Sequence, residues 1–168
     1  EGTFIIPEAG KVDYGKPDEW AGLICHRAVI ELDDGSFLAA MYGNFEGDTI
    51  TPTNPHSKTE TKYKLRAFVC RSVDQGQTWR YLSTVVAPGT GSSDETEGFN
   101  EWSMVQLNNG EILGVIRTGH FSPLVLSRST DEGRTWSPAK SNPELGPAGC
   151  DPYLLKLGDG RIALAYGE

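Results

Sequence analysis

Apolar and polar positions alternate in short runs along this chain, and the runs come in pairs around an Asp-Gly or Asn-Gly step. Residues 28–39 read as an apolar run, the turn Asp34-Gly35 and a second apolar run. Residues 103–114 repeat this around Asn109-Gly110, and residues 153–164 repeat it around Asp159-Gly160. Alternation with period two marks a strand with one buried face. Asp-Gly or Asn-Gly between two such runs predicts a hairpin closed by a type I′ turn, because these residues accept positive φ. Three hairpins are therefore expected.

A second unit recurs between the hairpins. Ser72, Asp74, Gly76, Thr78 and Trp79 share the pattern S-x-D-x-G-x-T-W with Ser129, Asp131, Gly133, Thr135 and Trp136. Each copy follows an apolar stretch, 65–71 and 124–128, that reads as a third strand, and 81–86 reads as a fourth. The order is hairpin, strand, motif, strand, then the same again, then one more hairpin. Four antiparallel strands per repeated unit is the sequence form of propeller blades. The fold class expected is an all-β propeller of four-stranded antiparallel blades, with about two and a half blades present. A lead-in at 1–24 reads only as irregular or edge structure, with a short turn allowed at 18–23. The first blade is placed at 25–87, the second at 98–140, and the first half of a third at 150–168. Two stretches rich in Gly, Ser, Thr, Asn, Asp and Pro, 43–62 and 87–100, read as long loops.

The repeated motif reads as architecture. An Asp side chain accepts backbone N–H groups a few residues ahead and locks a turn, the Gly supplies a left-handed backbone angle, and the Trp lays an apolar face on the blade. A catalytic or metal-binding role for Asp74 and Asp131 is set aside, because each blade carries its own copy.

Composition adds exclusions. The chain has 168 residues, 38% hydrophobic and 23% charged, which is globular rather than disordered. A net charge of −8 argues against nucleic acid and anionic membranes as partners, since both reward Lys and Arg. No apolar run is long enough to span a bilayer as a helix. Cys25, Cys70 and Cys150 fit no metal-ligand spacing and read as small buried hydrophobes on strands. No cofactor or metal is expected, and nothing in the sequence signals an oligomeric state.

The S-x-D-x-G-x-T-W units resemble the Asp-boxes, or BNR repeats, of the sialidase superfamily, over roughly residue 25 to the end. That resemblance implies a propeller that is six-bladed in the family, of which this segment would be a piece. It implies a secreted or periplasmic setting.

Candidate chemistry follows from the hairpins. The inner strand of a blade is the one entering each Asp-Gly turn, and it lines the central channel. Nine residues before each turn glycine stand His26, Glu101 and Asp151, and equal offsets on strands imply equal facing. A shared polar mouth is expected there. By resemblance, Glu101 would be the base that activates a Tyr nucleophile, and Arg117 one of three arginines gripping a substrate carboxylate. A fixed guanidinium suits a carboxylate, and a carboxylate can take a phenol's proton. The competing reading of this pair is a salt bridge between adjacent strands. His120, just past Arg117, is within reach of the same mouth.

Sialidases carry F/Y-R-I-P in the first blade, whereas this chain reads Cys25-His26-Arg27-Ala28. Arg27 thus matches the arginine, while the offset rule points His26 into the channel instead. Asp48 stands nearest to the family's acid/base Asp, with Glu46 as rival. Tyr42 and Tyr153 read as strand aromatics, so the nucleophilic Tyr and third arginine are expected outside this segment.

The resulting expectation is a fragment of a sialidase-like exo-glycoside hydrolase acting on a terminal sugar, acidic sugars included. The partner is a glycan or small sugar substrate. The alternative is a non-catalytic Asp-box propeller that binds carbohydrate or protein. Two and a half blades leave two open ends, so the isolated segment should be poorly soluble or only partly folded. A sharp cooperative melt of the monomeric segment, followed by circular dichroism, would contradict this.

Overall fold

Period-two alternation becomes strand along nearly all of the stretches that carry it. The structure, a computed structural model, describes residues 2–6, 23–52, 63–90, 97–119, 122–146 and 149–167. Its strands are β1 (Thr3–Ile5), β2 (Leu23–Glu31), β3 (Phe37–Gly43), β4 (Arg66–Ser72), β5 (Thr78–Val86), β6 (Trp102–Gln106), β7 (Ile112–Ile116), β8 (Val125–Ser129), β9 (Lys140–Ser141), β10 (Cys150–Lys156) and β11 (Ile162–Gly167). The only helix among the described residues is a 3-10 turn, Pro143–Leu145. Strands β2 to β5 form one antiparallel meander, β6 to β9 a second, and β10 pairs with β11. The fold is all-β: two four-stranded propeller blades and the first half of another. The lead-in supplies an edge strand, since β1 runs parallel to β5 on the outer side of the first blade. The short turn allowed at 18–23 lies outside the described residues up to residue 22.

The three hairpins form, but not with the expected turn. Gly35, Gly110 and Gly160 have φ of 79°, 83° and 86°, while Asp34, Asn109 and Asp159 before them stay at negative φ. Gly35 N–H donates to Leu32 O at 2.9 Å, and Leu32 N–H to Ser36 O at 2.8 Å. This is a type I turn followed by a left-handed glycine, not the type I′ turn. The acidic or amide side chain explains the choice: Asp34 Oδ1 accepts Ser36 N–H at 2.9 Å, Asn109 Oδ1 accepts Glu111 N–H at 3.1 Å, and Asp159 Oδ1 accepts Arg161 N–H at 3.1 Å.

Both Asp-boxes close by the same bonds. Thr78 N–H donates to Asp74 Oδ1 at 2.8 Å and Gly76 N–H to Ser72 Oγ at 2.9 Å. In the second copy, Thr135 N–H donates to Asp131 Oδ1 at 2.8 Å and Gly133 N–H to Ser129 Oγ at 2.9 Å. The Asp therefore reaches four residues ahead, and the serine shares the work. The bonds from Thr78 and Ser72 hold the Asp74 carboxyl below its ordinary value. Burial raises the Asp131 carboxyl, but bonds from Thr135 and Ser129 outweigh it and leave it lowered.

A lone blade has two apolar faces, and stacking buries them. Trp102, Met104, Ile112 and Ile116 of the second blade pack on Ala28, Leu38, Ala40 and Val69 of the first. Val105, Val115 and Leu124, on the opposite face, meet Leu154 of β10. The second Asp-box stitches the seam between the first and second blades. Ser83 Oγ–H donates to Gly133 O at 2.5 Å, Trp136 Nε1–H reaches Ser83 Oγ at 3.2 Å, and Arg71 spans Asp34 and Glu132. The first Asp-box docks instead on the lead-in, with Phe4 stacked on Trp79 at 5.7 Å.

The end of the loop at 87–100 is fastened to the first blade. Leu65 N–H donates to Glu97 O at 2.9 Å, Phe99 N–H donates to Leu65 O at 2.7 Å, and the Phe99 ring is fully buried. Gly98 sits between them at φ 90°, where an added Cβ would lie 2.3 Å from Leu65 N and O. The cysteines depart from expectation. All three lie on strands, but only Cys70 is buried, while Cys25 is exposed and Cys150 half-buried.

Ser129→Ala is expected to lower stability by about 1–3 kcal/mol, because Ser129 is buried and its loss strands Gly133 N–H. Val73→Ala in the first box, at a side chain 81% exposed, should leave the denaturation midpoint unchanged. Gly98→Ala is expected to cost about 2 kcal/mol or more through strain and overlap. Gly110→Ala has open space at a similar φ and should cost only the backbone part, about 1–2 kcal/mol, in the same urea titration.

Candidate functional site

The innermost strand of each sheet has one edge without a strand partner, so its backbone groups need side-chain partners. Here β6 lies between β2 and β10, and side chains from each blade supply the next. Trp102 N–H donates to His26 Nδ1 at 3.2 Å, Asp151 N–H to Glu101 Oε2 at 2.9 Å, and Leu154 N–H to Ser103 Oγ at 3.0 Å. His26 and Glu101, read from sequence as equivalent, thus do equivalent work: each accepts a backbone N–H of the following blade.

His26 Nδ1 sits against both backbone groups of Trp102, 3.2 Å from its N and 3.3 Å from its O. Nε2 lies 3.2 Å from Asp151 Oδ1, and Arg27 Nη2 lies 2.5 Å from Asp151 Oδ2. Each Asp151 oxygen therefore has its own cation or donor. The offset rule pointed His26 rather than Arg27 into the channel; in the structure both side chains reach Asp151. The register of β2 slips between Cys25 and Val29, and Arg27 within the slip has φ 52°. Strand β10 slips between Cys150 and Tyr153, with Asp151 at φ 56°. Strand β6 has no slip, so strict alternation holds only there. Bulges re-aim side chains, and these two aim Arg27 and Asp151 at each other.

Glu101 and Arg117 face each other across β6 and β7, with Arg117 N–H donating to Glu101 O at 2.9 Å. Their side chains approach to 3.6 Å between Arg117 Nη1 and Glu101 Oε1. The same Nη1 lies closer, at 3.3 Å, to Glu97 Oε2, which also accepts from Asn100 Nδ2 at 3.2 Å. The Glu97 side chain is 7% exposed, against 28% for Glu101 and 38% for Asp151. Glu97 Oε1, Asn100 Oδ1 and Arg117 Nε are buried without a hydrogen-bond partner.

Sequence reading missed Glu97 and Asn100. Their signal was the Gly98-Phe99 pair, a glycine and a large apolar residue inside a polar loop, which marks where that loop is pinned. Asp48 makes its contacts elsewhere. It accepts Phe45 N–H at 2.7 Å and pairs with Arg66, whose guanidinium lies 4.5 Å over the Phe45 ring. Its carboxylate holds a loop to β4, and Glu46 beside it is exposed. His120 lies outside the described residues. Tyr42 packs edge-on to His26 at 5.8 Å, and Tyr153 on β10 is exposed. No group of three or more metal-ligating side chains converges among the described residues.

Several solved structures share this fold. An α-L-arabinanase of Penicillium chrysogenum, complexed with arabinobiose, is 19% identical with a TM-score of 0.56, the match covering 84% of this chain and 40% of that one. A Hadza microbial sialidase is 15% identical with a TM-score of 0.53, covering 90% and 26%. A family 117 glycoside hydrolase of Zobellia galactanivorans is 14% identical with a TM-score of 0.60, covering 86% and 48%. The chain spans less than half the length of each. No curated protein sequence matches it significantly. The family model described as a BNR repeat-like domain matches residues 16–168, and with two Asp-boxes seated between third and fourth strands the chain belongs to that family.

Proposed function

We propose that this chain forms part of a carbohydrate-active propeller, a glycoside hydrolase whose sugar site is the mouth framed by His26, Arg27, Glu101, Arg117 and Asp151. The observation that supports it is the convergence of three successive blades: His26 and Arg27 meet the Asp151 side chain, while Glu101 takes Asp151 N–H and faces Arg117. Glu101 is held from two sides, by Asp151 N–H and by Arg117, yet keeps a quarter of its surface in solvent. A carboxylate fixed in this way is placed to take or give a proton at a bound sugar. The neighbouring structures named as an arabinanase, a sialidase and a family 117 glycoside hydrolase support carbohydrate as the substrate class.

In the finer, sialidase-like form of this reading, Glu101 activates a tyrosine carried elsewhere in the propeller and Arg117 contacts the substrate. Asp48 is assigned here to loop anchoring, and the general acid to another residue. A second reading, a propeller that binds glycans without cleaving them, is favoured by one observation. His26 and Glu101 each accept a backbone N–H of the next blade, which accounts for two of the three equal-offset residues without catalysis.

The two readings separate on Glu101→Gln, which keeps a carbonyl oxygen for Asp151 N–H and removes the base. The intact protein is assayed on aryl glycosides that include sialic acid and arabinofuranose. Loss of about 100-fold or more in kcat with an unchanged melting temperature is expected. Glycan binding without cleavage by either protein would replace the enzyme with the binding module.

A further inference from the structure

Arg117 is the residue that a sialidase-like reading assigns to a substrate carboxylate, yet its charge is already answered from within. One of its terminal nitrogens faces two carboxylates, Glu97 at 3.3 Å and Glu101 at 3.6 Å. Around the mouth, the carboxylates of Glu97, Glu101 and Asp151 outnumber the guanidiniums of Arg27 and Arg117 among the described residues. Like charge brought into such a site is repelled, and most strongly by a charge that solvent cannot screen. Glu97 is that charge, with a side chain 7% exposed.

Glu97 is also held more firmly than a folding role needs. Its carbonyl is fixed by Leu65 N–H, Gly98 after it packs against the Leu65 backbone, and one oxygen takes both Asn100 and Arg117. The other oxygen has no partner, and neither have Asn100 Oδ1 and Arg117 Nε beside it. All three atoms are buried from solvent, so what the site offers a ligand is Arg117 with its charge already answered by Glu97. We infer that Glu97 sets the charge specificity of the site: it neutralises Arg117 so that the Arg117 subsite takes an uncharged, hydroxyl-bearing part of a sugar and rejects a sugar carboxylate. This rests on the glycan site proposed above.

The test is Glu97→Gln in the intact protein. Glutamine keeps a carbonyl oxygen for Asn100 and Arg117, and its amide takes the place of the oxygen that has no donor, so the fold should persist. Binding is measured by titration calorimetry with two matched pairs, D-glucose with D-glucuronate and D-galactose with D-galacturonate, and with N-acetylneuraminate. The wild type is expected to favour the neutral member of a pair. The variant is expected to shift the ratio toward the carboxylate by about tenfold or more, with the gain fading at high salt. A general loss of packing would weaken both members alike and would not produce this shift. Preference of the wild type for the carboxylates, or a ratio unchanged in the variant, would overturn the inference and leave the glycan site standing. Binding of no sugar by either protein would overturn both together.

Discussion

The structure depends on one requirement: a blade cannot satisfy itself. Its sheet has two apolar faces and an inner edge with unused backbone groups, and both are completed only by the blade beside it. The indole of Trp102 shows the two demands met at once. Its ring fills the space between the first and second blades, its Nε1–H reaches Met41 O at 2.8 Å, and its backbone N–H is taken by His26. Packing and hydrogen bonding therefore act along the same direction, around the ring, and each blade is both ligand and scaffold for the next.

That arrangement separates support from chemistry. The Asp-boxes lie toward the outside, where their carboxylates are consumed by local turn bonds and Trp136 of the second box joins the seam at Ser83. The ionisable groups of the inner strands lie at the other end of the same sheets, where backbone demand is partial and side chains keep some exposure. Glu101 belongs to both worlds, since one oxygen links blades and the other faces Arg117. Its role in the ring and its proposed role toward a sugar use different atoms.

The sequence made the blades legible because hairpin and Asp-box signals are local. Asp34-Gly35 and its two repeats mark turns whatever surrounds them, although the positive φ falls on the glycine alone. The proposed mouth was legible in part. Counting from the turns singled out His26, Glu101 and Asp151, and the structure gives each a contact to a neighbouring blade although β2 and β10 are bulged and β6 is not. It failed at Arg27, because a bulge adds residues on one strand without any change in the alternation of types around it. It also failed at Glu97, whose partners are far away in sequence: Leu65 fixes the backbone and Arg117 fixes the side chain. Asp48 was chosen by position in a loop, and no local pattern could disclose that Arg66 would claim it. Sequence spacing reports what a strand does; it is silent on which long-range pairs a loop completes.

Arg27 and Asp151 share an uncommon property. Both hold a left-handed backbone at a non-glycine residue, and both spend their side chains on each other. Glycine would suit either backbone better, so selection for a relaxed chain and selection for the ion pair pull in opposite directions at the same two positions. The consequence is a natural handle for redesign. Exchanging both for glycine would keep the bulged path of the strands while emptying the proposed mouth of its two most exposed charged groups. A wider, less polar opening could be made there without redrawing the scaffold that surrounds it.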